Sequence, residues 1–196
     1  MTEPSDRDLL DAWRGGNEAS GDALVKRYFQ PILRFFRSKL GDEVEDLVQR
    51  TFLDLLEDEG KLHTPSFRSY LFRIARNRLV DHFRRGDRRP MELLGSKSVI
   101  ELGARVSSVV ASLETREIIL AALRQLPLDF QMTLELAYWE GLDGAEIASA
   151  LDISPNTVRS RISRGRAMLR EILEAQVESP ELLQRSLARL ERAKLG

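Results

Sequence analysis

Four arginines, Arg159, Arg161, Arg164 and Arg166, fall within LDISPNTVRSRISRGRAML (residues 151–169), which holds no acidic residue after Asp152. Guanidinium forks suit phosphate oxygens and guanine edges, so the chemistry on offer is nucleic-acid recognition. Ser154 followed by Pro155 signals a helix start, because a serine oxygen can accept from an early unpaired N–H while proline at the first helical position loses nothing. At about 100° per residue, Val158, Ile162, Gly165, Leu169 and Ile172 share one side of that helix. Asn156, Ser160, Ser163 and Ala167 share the other, with Arg159 and Arg164 on its shoulders and Arg161 and Arg166 nearer the flanks, where they suit phosphates. Upstream, GLDGAEIASALD reads as a short helix with Ile147, Ala148 and Leu151 inward. Asp152 to Ser154 is too short a connection for anything but a sharp helix-turn-helix, whose second helix lies in the major groove. A solvated arginine face on an ordinary helical hairpin is the alternative; the cap, the turn length and the missing acids favour DNA.

A second basic surface lies in RSYLFRIARNRLVDHFRR (residues 68–85). Leu71, Ala75 and Leu79 share a face, with Phe72 and Phe83 near its edge; Arg73, Asn77 and Arg84 lie opposite and Arg76 to one side. Asn77 offers a paired donor and acceptor able to read a base edge. Phe67, Tyr70 and Phe72 stand beside the loop EDEGKLHTPS, where aromatics either stack single-stranded bases or belong to the core. In DEVEDLVQRTFLDLLEDE (residues 42–59), Val44, Leu47, Val48, Phe52 and Leu55 form a broad apolar side. Leu53 points away from it, among Asp46, Gln49, Arg50 and Glu57, as either a protein-contact spot or an incidental exposed leucine.

These segments must be positioned by helices, because strand patterns are nearly absent and helical punctuation recurs. Ser5 caps a helix ending at Gly15 and Gly16; a second runs from about Gly21 to Leu40, bent at Pro31; a third covers Asp42 to Glu59; Thr64 and Pro65 open a fourth that reaches Arg85. From Gly86 to about Leu113 the glycines, prolines and serines show no sustained period and read as a linker, with some helix around Ala104 to Leu113. Glu114 to Leu126, Pro127 to Glu140 and the helix-turn-helix follow. The tail ESPELLQRSLARLERAKL has a Ser179-Pro180 start and apolar Leu182, Leu183, Leu187 and Leu190, which either pack on their own domain or meet a partner helix. The expected fold is all-α: two small helical domains joined by a flexible linker, with boundaries at 1–90, 91–112, 113–175 and a 176–196 helical extension.

The whole chain narrows the classes further. Its 196 residues are 42% hydrophobic and 31% charged, the balance of a soluble globular protein. The formal net charge of -1 means that any nucleic-acid surface is local and that acids are gathered elsewhere, as for a protein partner. There is no cysteine, which excludes disulfides and thiolate metal sites, and only His63 and His82 could supply imidazole. We therefore expect no metal and no cofactor. No acid, base and nucleophile cluster together, so no enzyme and no small-molecule substrate are expected. The acidic start and the lack of any stretch near 18 apolar residues give the expectation of a cytoplasmic protein without membrane insertion.

The segments EDLVQRTFLDLL, SFRSYLFRIARNRLVDHFRR and LRQLPLDFQMTLELAYWEGLDGAEIASALDISPNTVRSRISRGRAML resemble, in order and separation, an extracytoplasmic-function (ECF, group IV) sigma factor of bacterial RNA polymerase. The resemblance covers nearly everything from Asp8 to Leu173 except the linker. It implies a sigma-2 domain whose EDLVQRTF helix, with Asp46, Gln49, Arg50 and Leu53, docks on the clamp of the polymerase largest subunit. It implies also that the FRIARN helix and its preceding loop melt and read the -10 element, with Phe67, Tyr70, Arg73, Arg76, Asn77 and Arg84. A sigma-4 domain would read the -35 duplex with Asn156, Thr157, Arg159, Ser160, Arg161, Ser163, Arg164 and Arg166, and meet the polymerase flap. Many members of the family are held inactive by an anti-sigma protein, sometimes at the membrane, so such a partner is implied. Arg50 stands where an acid is common, Gly165 where alanine is usual, and the tail beyond Ala175 is longer than many relatives need. The competing reading is a helix-turn-helix regulator acting without polymerase, which leaves the RIARN surface and the EDLVQRTF helix without a role.

Overall fold

The computed structural model describes residues 3–58, 65–85, 110–177 and 179–192, and among them every regular element is an α-helix. Helix α1 (Asp6–Arg14) starts where Ser5 and Asp8 cap each other's backbone N–H groups reciprocally. Helix α2 (Glu18–Leu40) starts three residues before the expected Gly21, because the Asn17 side chain accepts from the Ser20 N–H at 3.2 Å. Gly21 is instead a point of close approach: a Cβ there would lie 2.4 Å from the Trp13 indole of α1. The helix continues through Pro31 to Leu40. Helix α3 (Glu45–Glu57) starts three residues after the expected Asp42, and its N-cap residue Val44 gives no side-chain cap. Arg14 closes its other end by donating to the Leu55 carbonyl at 2.9 Å and to the Asp58 carbonyl.

Helix α4 (Phe67–Arg85) begins at Ser66, whose hydroxyl accepts from the Ser69 N–H while Ser69 accepts from the Ser66 N–H, each at 3.2 Å. The second set comprises α5 (Val110–Leu123), α6 (Leu128–Tyr138), α7 (Gly144–Leu151), α8 (Pro155–Gln176) and α9 (Pro180–Arg192). The turn between α7 and α8 is made by Asp152 in the left-handed region, φ 54°, followed by Ser154 capping Thr157 at 3.1 Å. The helix-turn-helix is thus built as its spacing predicts. The expected 91–112 linker lies outside the described residues except for its last three, which already belong to α5.

The two sets are present, but they do not stand apart. Helix α4 packs along α7, and one apolar core runs from Leu10, Phe36, Leu71 and Leu79 of the first set to Leu136, Ile147, Leu151 and Val158 of the second. The reason is visible in α4: Phe67, Tyr70, Leu71, Phe72, Ile74, Ala75, Leu79 and Phe83 are all buried, so its apolar arc is wider than one small bundle covers. A smaller core holds Ile119, Leu123, Leu134, Leu169 and Leu173, and α9 lays Leu182 and Leu183 on it. The tail therefore packs on its own domain.

Candidate nucleic-acid and partner interfaces

Three exposed surfaces result. On α8, Asn156, Arg159, Ser160, Ser163 and Arg164 are exposed while Val158, Ile162, Gly165, Leu169 and Leu173 are buried, the division expected from the helical period. Thr157 is half-buried beside its cap, its hydroxyl 2.8 Å from that of Ser154. Arg159 donates to the Asn156 side chain at 3.2 Å, which holds its fork over the helix N-terminus. Two arginines behave otherwise than expected. Arg161 is ion-paired with Asp129 of α6 at 2.6 Å, and Arg166 donates to the Tyr138 hydroxyl and lies over its ring at 5.5 Å. Both turn back onto α6, because flank positions on a packed helix face its neighbour as readily as solvent; in this conformation they brace α8 and their donors are not all free for phosphate. Burial pushes the Tyr138 phenol above its ordinary value, and Arg166 beside it opposes the shift.

On α4, Asn77 and Arg84 are exposed and Arg73 and Arg76 half-buried, so the structure gathers these four as the pattern predicts. Arg76 donates to the Asn77 side-chain oxygen at 3.2 Å, Arg73 sits over the Tyr70 ring at 5.4 Å, and Arg84 lies 4.0 Å from Asp81. Phe67 and Tyr70 are corrections. Phe67 is 8% exposed and packs against the Tyr28 ring, tilted to it with centroids 5.2 Å apart, and Tyr70 is 1% exposed, its phenol pushed up to about 12 first of all by burial. Neither ring can stack on a base in this conformation: both belong to the first set's own core, with Arg73 over the Tyr70 ring. Residues 61–64 of the loop expected to help melt and read the -10 element, His63 among them, lie outside the described residues.

On α3, Asp46, Gln49, Arg50 and Leu53 are all exposed, opposite buried Val48, Phe52 and Leu55. Among the described residues Leu53 is the large hydrophobic side chain that stands out, at 47%. Arg50 pairs with Asp46 at 2.9 Å, one turn away. The helix is fixed to α4 by a two-armed pair between Arg78 and Asp54, which ties the α3 surface rigidly to the α4 surface. No cluster of three or more metal-ligating side chains occurs among the described residues, and no helix there is long and apolar enough to cross a membrane.

The α3 and α4 surfaces fall in one matched segment of the chain and the α8 surface in another. Residues 24–89 match the model of sigma-70 region 2 and residues 116–169 that of sigma-70 region 4. The chain is 32% identical over 178 residues to the ECF RNA polymerase sigma factor SigE of Mycolicibacterium smegmatis, covering 87% of this chain and 68% of that one. The chain belongs to the ECF branch of the sigma-70 family. The RNA polymerase sigma factor SigZ of Bacillus subtilis is 28% identical, with 77% of this chain and 85% of that relative aligned. Among solved structures, CnrH in complex with the cytosolic domain of CnrY superposes with a TM-score of 0.65 at 28% identity, covering 88% of this chain and 99% of that one. The sigma factor RpoE in complex with the anti-sigma factor NepR, from Bartonella quintana, has the same fold, with a TM-score of 0.54 at 23% identity over 87% of this chain and 94% of that one. As a sigma factor the chain is a transcription-initiation protein of a non-enzymatic class, and its all-helical architecture is the family's. The residue patterns missed a polar seam between the two sets, where Ser38 and Lys39 of α2 meet Gln131 and Glu135 of α6. Gln131 and Glu135, four apart in LDFQMTLELAY, are both buried.

Proposed function

We propose that this sigma factor binds RNA polymerase core through α3, holds the -10 element as melted single strand on α4, and reads the -35 duplex with α8. The observation that carries this reading is the presence of two basic faces, exposed Asn77 and Arg84 with half-buried Arg73, and exposed Asn156, Arg159, Ser160 and Arg164, one in each sigma-70 region, with the uncharged Leu53 standing out on a third face. Two basic faces suit two stretches of nucleic acid, and the exposed leucine within a charged ring suits a protein. Holding the open strand more tightly than the duplex is what shifts the melting equilibrium, and an amide that pairs with an extruded base recovers part of the few kcal/mol lost on unstacking.

The two elements lie about 25 base pairs apart by name, about 85 Å along duplex DNA at 3.4 Å per step. A compact chain of this length has a radius of gyration of about 16 Å and is about 40 Å across. Reading both elements together therefore requires the two sets to part. The 24 residues 86–109 have a contour length of up to about 80 Å, enough to allow it. An anti-sigma protein is the regulatory partner of this reading, supported by RpoE of Bartonella quintana, a protein of this fold in complex with the anti-sigma factor NepR. The deciding experiment is reconstitution: purified chain added to core polymerase should co-elute with it and give run-off transcripts from promoters selected out of a random library. DNA binding that is the same with and without core, and no transcripts, would favour the stand-alone regulator.

A further inference from the structure

The seam between the two sets contains a buried polar cluster that neither set satisfies alone. The Lys39 side chain, at the end of α2, is 1% exposed, and Glu135 of α6 is 6% exposed. Lys39 spends its three N–H donors on the Phe35 carbonyl at 2.7 Å, the Ser38 hydroxyl at 2.9 Å and the Glu135 carboxylate, and lies 4.0 Å from the centre of the Phe35 ring. Glu135 accepts in addition from the Ser38 hydroxyl at 3.0 Å and from Gln131 at 2.9 Å. The Ser38 carbonyl belongs to the last turn of α2, where helical carbonyls lack partners of their own. It accepts from Gln131 at 3.1 Å and from Arg124 of α5 at 3.3 Å, so the second set caps the first set's longest helix. Arg34 and Glu140 close the margin at 3.1 Å.

A buried ion pair contributes little net stability beyond an apolar pair of the same shape, since the desolvation of both ions offsets their attraction, yet removing one partner leaves a stranded charge. Burial accordingly pulls the Lys39 ammonium below the ordinary lysine value, with Glu135 opposing the shift. Apolar packing of α4 on α7 supplies the adhesion, and hydrophobic attraction, being non-directional, does not by itself forbid a shift of register. The polar cluster does not tolerate it: closed in another register, Lys39 and Glu135 would be buried unpaired, whereas on opening both return to water. We propose that Lys39 and Glu135, with Ser38 and Gln131, form an interdomain latch that admits one closed arrangement of this sigma factor and keeps that closure reversible. Its regulatory meaning rests on the two-element reading above; its existence does not.

The native chain lacks cysteine, so donor and acceptor dyes can be placed on Ala19→Cys and Ala175→Cys, exposed positions on α2 and α8, and read without polymerase or DNA. The parent should give one narrow distance distribution. Lys39→Met and Glu135→Gln, each of which strands or deletes one partner, should raise the open fraction at least tenfold with helicity unchanged. The double variant Lys39→Met/Glu135→Leu should close again to at least the parental level, and Arg34→Gln, at the half-exposed margin, should change the fraction less than threefold. A parent with a broad distribution overturns the latch, as do single variants that stay closed. A double variant as open as the singles overturns it too, because packing alone would then explain the loss. Should the singles lose helicity, the double variant still decides, since recovery of helicity and closure together is expected only of a compensated pair. Failure of run-off transcription with the latch intact would count against the proposed function alone.

Discussion

Leu53 and Asn77 are single exposed side chains whose surroundings limit what substituting them can do. Leu53 lies opposite the buried side of α3, so Leu53→Asp removes no core contact. Thermal unfolding should change by no more than about 0.5 kcal/mol, the range of ordinary surface substitutions. Affinity for core polymerase, measured by titration, should fall at least tenfold; a variant that melts far below the parent would make Leu53 a structural residue. Asn77 is exposed beside Arg76, whose donor already holds its amide oxygen. That contact orients the amide and leaves its NH2 group for a base. Asn77→Ala should lose about 1–3 kcal/mol of affinity for single-stranded -10 DNA, and the loss should vanish on DNA with an abasic site at the read position. Binding to -35 duplex and to core should be unchanged. An equal loss on abasic DNA would assign Asn77 to the backbone path.

The elements are set by caps and close approaches more than by propensity. Gly165 shows the competition within α8. As a helix-interior glycine it costs about 1 kcal/mol relative to alanine. A Cβ at that position, however, would lie 3.1 Å from Leu134 Cδ1 and 3.3 Å from its Cγ, and Leu134 is fully buried on α6. Gly165 therefore lets α8 settle against α6, which aims the outer face of α8 away from the domain. Gly165→Ala should be no more stable than the parent in thermal or denaturant unfolding, the helix gain being consumed by crowding. Gly165→Leu should destabilise by about 1–3 kcal/mol through overpacking. A Gly165→Ala chain more stable by the full propensity difference would show that Leu134 gives way freely. Arg161 and Arg166 illustrate the same scale: their pairing with Asp129 and Tyr138 belongs to the α6–α8 contact before it belongs to any DNA surface.

Across the whole molecule, the closed arrangement opposes the proposed activity, because a body about 40 Å across cannot meet two elements about 85 Å apart. Closure is held by apolar burial between α4 and α7 and registered by Lys39 and Glu135. A covalent tie across the seam should then separate folding from function. With Arg34→Cys and Glu140→Cys, whose parent side chains meet at 3.1 Å, a short cross-linker with two thiol-reactive ends should leave helicity unchanged and abolish run-off transcription. Cleaving a reducible linker should restore it. Full activity in the cross-linked state would mean that the sets need not part.

The residue patterns by themselves determined the presence and order of the helices though not all their ends, the caps at Ser5 and Ser154, the turn at Asp152, the outer face of α8, the basic face around Asn77 and the exposure of Leu53. These are local: caps act within a turn, and a period near 3.6 assigns faces without reference to any neighbour. Tertiary structure decided what depends on which neighbour arrives. Phe67 and Tyr70 entered the core because Tyr28 and the packing of the first set enclosed them, although their position beside a basic helix suited stacking equally well. Arg161 and Arg166 turned inward because α6 offered Asp129 and Tyr138. The seam joins Lys39 to Glu135 across 96 positions of sequence. No periodicity could pair those two residues, because their burial and mutual attraction exist only once one set of helices has closed on the other.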